Sequence, residues 1–266
     1  MRVVFKARED RSSSMNAVML LGILYGEYQH ISSIMLQNKS LKDEMIGALF
    51  SREKSSVIRE ESSYFALEGM DYLIWQERNN RLSEESVHEV MMSVGEKSSF
   101  IPSGDRDAPG LYPEETGRLQ LAILNILEQI ADLVLFDCGA LPDTLSRGLI
   151  EYGSLQVICL QQRKELIDEV MMERGIDMTR TFFIITDYDY SDIYNTKNIA
   201  RLYGIPESRI GVIPRSKELE NSVSKGEVSK FIKKNINSKV GSKNYYFMKE
   251  LKTTGGNLLS AVNYGA

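Results

Sequence analysis

Short apolar runs alternate with longer amphipathic stretches along almost the whole chain, and this alternation constrains the fold more than any other feature of the sequence. A short apolar run bounded by turn residues is typical of a buried strand, and apolar residues spaced three and four apart are typical of a helix. Strands that alternate with helices form a mostly parallel sheet flanked by helices on both faces. The sequence therefore predicts an α/β fold of this kind.

The same two patterns give the individual elements. The predicted strands are Val3–Phe5, Ile31–Leu36, Asp71–Trp75, Ser99–Ile101, Leu133–Asp137, Leu155–Leu160, Thr181–Thr186 and Arg209–Ile213. The predicted helices are Met15–Tyr28, Leu41–Phe50, one capped by Ser83 that runs to Met92, Glu114–Ile130, Thr144–Tyr152, Lys164–Glu173, Ile193–Tyr203 and Ser216–Asn235, the last with a break at Gly226. Pro102–Pro113 is predicted to be a loop because it is rich in Gly, Pro and Asp.

The net charge is unevenly distributed. The whole chain carries −5 at pH 7, but residues 225–266 contain eight lysines and two glutamates, a net charge of +6, which leaves −11 for residues 1–224. An acidic body is unexpected for a nucleic-acid-binding protein. The basic end suits an anionic membrane surface or an acidic partner, although a solvated helix face explains it more simply. We divide the chain into a domain over residues 1–236 and a basic, aromatic tail over residues 237–266.

Cysteine, histidine and hydropathy patterns argue against several classes of protein. Cys138 and Cys159 each lie inside an apolar run, which is typical of reduced core thiols in a cytoplasmic protein. No run of about 18 apolar residues predicts a spanning helix. His30 and His88 lie near neither a cysteine nor a paired acid in sequence, so we expect no metal site. The chain also lacks the G-x-S-x-G sequence of serine hydrolases.

One segment combines acidic and aromatic residues, Asp187-Tyr188-Asp189-Tyr190-Ser191-Asp192. Such a segment can bind a cation or a basic partner. It can equally be a solvated loop whose side chains cap the helix that starts near Ile193. The sequence alone favours the solvated loop.

Three segments in the second half of the chain together resemble a known family. They are Ala131–Gly139, with Asp137 at the end of its apolar run, Thr181–Thr186, and Arg209–Pro214 followed by Gly226. In this order and spacing they resemble the MinD/ParA family of P-loop ATPases with a deviant Walker A motif, including its TadZ-like members tied to pilus assembly. The resemblance implies a P-loop NTPase-like fold, in which Asp137 matches the aspartate that holds a magnesium-bound water.

The loop after the first strand departs from the family pattern, K-G-G-x-G-K-[ST]-T. In an alignment without gaps, Lys6 falls on the signature lysine, Arg11 on the catalytic lysine and Ser12 on the magnesium-binding Ser/Thr. The residues at the three glycine positions are Ala7, Arg8 and Asp10.

These departures predict that nucleotide chemistry has been lost. A P-loop wraps phosphates in backbone N–H groups, and a Cβ at its glycine positions restricts φ and blocks close approach. Glu9 and Asp10 add negative charge where a triphosphate would lie. The end of the second strand, Met35-Leu36-Gln37-Asn38, lacks the family's water-positioning acid, and Thr186 replaces an adenine-binding Asn. We therefore expect a pseudo-ATPase with no resident cofactor. Its degenerate nucleotide site would comprise Lys6, Arg11, Ser12 and Asp137.

The resemblance also implies a biological role. We expect a cytoplasmic localisation or scaffold factor, located at the inner face of the membrane if it is peripheral, that recruits pilus or secretion components. Family members dimerise, so a homodimer is expected, and a dimer without nucleotide needs an interface made by protein alone.

Two alternatives stay open. The first is a divergent MinD/ParA switch that binds ATP and magnesium and hydrolyses ATP weakly. The second is a peripheral membrane module acting through Lys225–Lys252, because Lys243–Lys252 mixes aromatic residues with lysines. Thr253–Asn257 is predicted to break the last helix, and Leu258–Ala266 carries no charged side chain. Both features weaken the membrane alternative.

Overall fold

One sheet forms the centre of the fold. The computed structural model describes residues 1–38, 44–51, 68–104, 113–140, 155–173 and 176–264. The strands of this part of the chain are β1 (Arg2–Ala7), β2 (Ser33–Gln37), β3 (Met92–Ser93), β4 (Ser98–Ile101), β5 (Leu133–Asp137), β6 (Leu155–Gln161), β7 (Thr181–Tyr188) and β8 (Ile210–Pro214). They form one eight-stranded sheet in the order β3-β4-β2-β5-β1-β6-β7-β8. Every neighbouring pair is parallel except β3 with β4.

Helices connect the strands. In the described ranges they are α1 (Arg11–Leu24), α2 (Met45–Leu49), α3 (Gly69–Arg78), α4 (Glu84–Val90), α5 (Pro113–Ile130), α6 (Lys164–Met172), α7 (Thr196–Tyr203), α8 (Lys217–Lys225), α9 (Val228–Asn235) and α10 (Tyr245–Tyr264). A π-helical turn, Tyr25–Gln29, extends α1.

Helices cover both faces of the sheet, as the sequence predicts. Phe5 and Val157 belong to the core that α1, α2 and α8–α10 cover on one face. On the other face, Val4 lies in a core with α3–α5, and Ile158 lies in a third core with α6 and α7. Adjacent residues of a strand point to opposite faces, so strands buried on both faces appear in the sequence as continuous apolar runs.

The predicted strand Asp71–Trp75 is wrong, because these residues lie in α3. Its five residues form a short run that fits either period, and a wider window shows the helical spacing. Met70, Leu73 and Ile74 are buried against the core, whereas Trp75 is 42% exposed. Most other predicted elements agree within a few residues, including the break at Gly226 between α8 and α9. The predicted helix Thr144–Tyr152 lies outside the described residues.

The predicted break at Thr253–Asn257 is also wrong, because α10 continues through it. Of its two glycines, Gly255 allows close packing on α1 instead. A Cβ built on Gly255 would lie 3.0 Å from Leu24 Cδ2, whereas a Cβ on Gly256 would meet nothing within 4 Å. The Tyr25 hydroxyl donates a hydrogen bond to the Gly255 carbonyl at 3.2 Å. Tertiary packing here outweighs the low helix propensity of glycine.

Helix α10 also protects the edge of the sheet. The Thr254 hydroxyl accepts a hydrogen bond from the Val212 N–H at 2.8 Å and donates one to the Val212 carbonyl at 2.9 Å. Val212 lies in β8, which is an edge strand. The close approach depends on Gly211, where a Cβ would lie 2.4 Å from Thr254 Cγ2. Within the described residues, no helix is both long enough and apolar enough to cross a membrane.

The two adjacent glycines of α10 give a matched pair of substitutions. We expect Gly255→Leu to destabilise the protein by about 1–3 kcal/mol, because the new side chain overpacks the contact with α1. Gly256→Ala should instead stabilise it by about 0.5–1 kcal/mol, because the site has room and alanine favours helix. Urea unfolding of both variants measures the difference, and equal effects would contradict the close packing at Gly255.

Candidate functional site

The loop between β1 and α1 is short and follows an ordinary backbone path. The Ala7 N–H donates to the Gly139 carbonyl at 2.9 Å, and the Arg8 N–H donates to the Cys159 carbonyl at 3.0 Å. Two amides at former glycine positions are therefore already hydrogen-bonded to the neighbouring segments of the chain. None of the three glycine-position residues has a positive φ. The loop consequently lacks the left-handed turns that glycine permits in a phosphate-binding loop.

A carboxylate of the chain itself occupies the N-terminus of α1. Asp10 is the N-cap residue, and its Oδ1 accepts a hydrogen bond from the Ser12 N–H at 3.0 Å. Its Oδ2 accepts one from the Ser12 hydroxyl at 2.5 Å. The N-terminus of a helix attracts anions through free N–H groups and the helix dipole. In a P-loop a phosphate uses this end of the helix, whereas here Asp10 does.

The other charges of the loop form ion pairs with the α6 region. Arg8 contacts Glu169 at 2.5 Å and Glu173 at 2.9 Å. The hydrogen bond to Glu169, together with the charge of Glu173, raises the pKa of the Arg8 guanidinium above its ordinary value. Glu9 pairs with Arg163 at 3.0 Å. The loop is thus tied to its own domain by side chains that a P-loop does not have.

Asp137 is fully buried, and among the described residues three donors hold it. It ends β5, where the Ser14 hydroxyl donates to Oδ1 at 2.6 Å and the Gly139 N–H donates to the same oxygen at 2.9 Å. The Gln37 side-chain amide donates to Oδ2 at 2.9 Å. A buried carboxylate is stable only when hydrogen bonds replace its hydration. Asp137 therefore joins β5, β2 and α1 as a structural centre.

These residues do not fit the magnesium ion that the fold family implies. Magnesium needs octahedral oxygen ligands and retains several waters, so a carboxylate that serves it must face a solvated space. Asp137 instead has no exposed surface and faces N–H and O–H donors. Ser12, at the family's magnesium-binding position, is turned to Asp10. Among the described residues, no group of three or more His, Cys, Asp and Glu side chains could hold a metal ion.

The described residues of the predicted nucleotide site lie in different surroundings. Lys6 lies beside Arg8 and Glu173 in a cavity of about 30 Å³ on the α6 side of the sheet. Ser12 lines a different cavity. Asp137 is buried beneath α1. Arg11 begins α1, and its side chain lies outside the described part of the structure.

The cavity beside Ser12 is acidic. It measures about 250 Å³ and lies between the start of α1, the ends of β7 and β8, and α8. Asp10, Asp187 and Glu220 contribute carboxylates to its wall. Burial raises the pKa of Asp187, Arg215 opposes this, and the charges of Asp10 and Glu220 add to it. Three carboxylates around one cavity repel an anion, which makes the cavity unfavourable for a phosphate.

Sequence reasoning missed Ser14 and Gln37. The gapless alignment draws attention to Ser12 and not to Ser14. In a helix that begins at Arg11, Ser14 lies one turn in and faces the sheet, where it is buried. Gln37 was noted only for lacking a negative charge. The signal that could have identified both is polarity at positions where the helical and strand periods predict burial.

Comparisons with known proteins agree on the fold. No protein-family model matches the chain, and no curated protein matches its sequence. Among solved structures, a ParA family ATPase from Chlorobium tepidum has a TM-score of 0.64 at 14% identity, covering 97% of this chain and 98% of that one. The cell division ATPase MinD of Pyrococcus furiosus has a TM-score of 0.63 at 11% identity with the same coverage. The chain has the MinD/ParA fold.

A further solved structure with a similar fold contains a bound ligand. A plasmid partition protein from Borrelia burgdorferi, solved with bound AMPPNP, has a TM-score of 0.58 at 12% identity and covers 97% of this chain and 98% of that one. The likeness covers almost the whole of each chain but shows the fold alone. Whether this chain binds a nucleotide must therefore be judged from its own residues.

The two serines of α1 provide a test of the site. We expect Ser14→Ala to destabilise the protein by about 1–3 kcal/mol, because it removes a buried donor from the Asp137 carboxylate. Ser12→Ala should have less than half this effect, because the Asp10 cap retains its bond to the Ser12 N–H. Denaturant unfolding of the two variants gives the comparison. A larger effect at Ser12 would show that Ser12, rather than Ser14, supports the site.

Proposed function

We propose that this chain is a MinD/ParA-fold protein that does not hydrolyse ATP and acts as a localisation or scaffold factor. The observation that carries the proposal is the Asp10 carboxylate, which caps α1 where the fold otherwise receives a phosphate. A ligand phosphate at this helix end would have to displace a covalently attached anion that is already hydrogen-bonded there.

Energetic estimates support the loss of nucleotide binding. Removing an N-cap interaction costs about 0.5–2 kcal/mol. A phosphate charge about 4 Å from a retained Asp10 carboxylate would be repelled by roughly 4 kcal/mol at an effective dielectric of 20. The magnesium that could offset this repulsion would need Asp137 to release its Ser14, Gln37 and Gly139 donors. These costs act together and in the same direction.

The scaffold role follows from what the fold retains. With its own side chains at the nucleotide site, the protein would act by binding other proteins through its surface and not by catalysis. The sequence segments resemble those of the TadZ-like proteins. We therefore include a TadZ-like role in the proposal, in which a cytoplasmic protein recruits pilus or secretion components. We include a homodimer in the proposal, held by protein contacts alone.

The packing of α10 supports a scaffold over a membrane module. Phe247, Leu251 and Leu258 form the apolar face of this helix, and all three are buried in the core that α1 and β1 share. A helix that binds a membrane inserts its apolar face among the lipids. The same face cannot serve both purposes without releasing α10 from the sheet.

Thermal unfolding with magnesium and ATP tests the proposal. We expect no change in the Tm of the wild-type protein at millimolar Mg-ATP, because a ligand that binds only the native state must stabilise it, by about 2.7 kcal/mol at a hundred times its Kd. Arg11→Ala, which removes the residue at the catalytic lysine position, should give the same null response. A magnesium-dependent rise in Tm that Arg11→Ala abolishes would replace the proposal with the ATP-binding switch.

A further inference from the structure

The loop after β7 displays two large apolar side chains to solvent. Tyr190 is 70% exposed and Ile193 is 72% exposed. The acidic residues Asp189 and Asp192 alternate with them along the loop. Large apolar side chains with this much exposure are frequent anchors of protein interfaces, especially when charged residues surround them. We call residues 189–193 the acidic loop.

The acidic loop is held in one conformation by hydrogen bonds. The Gln162 side chain donates to the Asp189 carbonyl at 2.9 Å and the Tyr194 carbonyl at 3.1 Å, and it accepts from the Asp189 N–H at 2.7 Å. The Asp189 carboxylate also accepts from the Ser191 N–H at 2.9 Å, and the Asp192 carboxylate accepts from the Tyr194 N–H at 2.7 Å. A preorganised loop loses little conformational entropy when it binds.

A second exposed segment has the opposite charge. Val240, 81% exposed, lies in the turn between α9 and α10 with Lys239 before it and Lys243 after it. Gly241 gives this turn its sharp direction with a φ of +89°. Lys243 pairs with Glu218, whereas Lys239 is exposed and contacts no carboxylate of the described residues. We call residues 239–243 the basic turn.

The two segments lie at the same edge of the molecule. The Tyr190 ring packs edge-on against the Tyr246 ring, with 5.6 Å between their centroids. Tyr246 is in the first turn of α10, which follows the basic turn directly. Because β7 ends at Tyr188, this is the edge formed by the carboxyl ends of the parallel strands. The acidic loop and the basic turn are thus neighbours at this edge of the protein.

We infer that a second copy of this chain docks here, with the acidic loop of each protomer against the basic turn of the other. Two adjacent patches of opposite charge become self-complementary under a two-fold rotation, which is the symmetry of most homodimers. The exposed apolar side chains of the acidic loop then contact the exposed apolar side chain of the basic turn, and the carboxylates and lysines beside them attract one another. The inference deepens the homodimer of the proposed function and rests on it, because it supplies the interface made by protein alone.

Sedimentation equilibrium of the full chain tests the apolar anchors. The wild type should be a dimer, and Ile193→Ser and Val240→Ser should each raise its dissociation constant by about tenfold or more, because each removes a central apolar contact. Met172→Ser is the matched control. Met172 is equally exposed, at 73%, but it lies on α6 and not in either segment. Its replacement should leave the dissociation constant unchanged.

A charge cycle tests the pairing itself. Lys239→Glu should weaken the dimer by about tenfold, because it places like charges across the interface. Adding Asp189→Asn and Asp192→Asn to that variant should recover most of the loss, since asparagine keeps the loop hydrogen bonds but removes the repulsion. Lys225→Glu is the control, because it changes the net charge by the same amount at a site outside both segments. Lys225 lies at the C-terminal end of α8, whereas Glu218, the partner of Lys243, lies at its N-terminal end. Equal effects of Lys225→Glu and Lys239→Glu would overturn the pairing.

The outcomes separate the inference from the proposed function. A dimer that is insensitive to the Ile193, Val240 and Lys239 variants would overturn this interface and leave the homodimer standing. A monomer at every concentration would overturn both the interface and the homodimer. The absence of nucleotide binding is judged independently by the response of the Tm to Mg-ATP.

Discussion

The arrangement of the strands and helices around the site depends on the hydrogen bonds of the buried Asp137 carboxylate. It lies at the end of a central strand with no exposed surface, and it is stable there because α1, β2 and its own turn each supply a donor. A buried carboxyl group in such a place fixes the positions of the elements around it, because any shift leaves a buried polar group without hydrogen-bond partners. The position that matches the Walker B aspartate of P-loop ATPases thus holds three structural elements together here.

In the loop between β1 and α1, groups of the chain itself also supply the hydrogen-bond partners. A phosphate-binding loop presents backbone N–H groups that bind an anion. Without the anion these donors lack hydrogen-bond partners and destabilise the folded protein. This chain satisfies them internally, with an aspartate cap at α1 and backbone carbonyls for two further amides. The arginine that occupies a glycine position also ties the loop to α6 through its ion pairs.

The sequence predicted the fold well because its information is periodic. Runs such as Leu133–Asp137 show burial on both faces of a strand, and the ordered segments around Asp137 showed which parallel sheet to expect. Prediction failed where a contact distant in sequence decides the outcome. The glycines of α10 indicated a break, whereas the structure shows that Gly255 lies against α1. Ser14 and Gln37 acquire their role only because the fold places both on one carboxylate.

One threonine limits how this protein can assemble. Thr254 satisfies the outward N–H and carbonyl of Val212, so that side of the sheet offers no free donor and acceptor pair at this point to a foreign strand. The opposite edge is formed by β3, a strand of two residues. In the described residues, a helix covers one edge of the sheet at Val212 and a two-residue strand ends the other, which leaves little open edge for an added strand. Contacts between molecules are then left to side chains, whose strength single substitutions and ionic strength can adjust while the sheet stays unchanged.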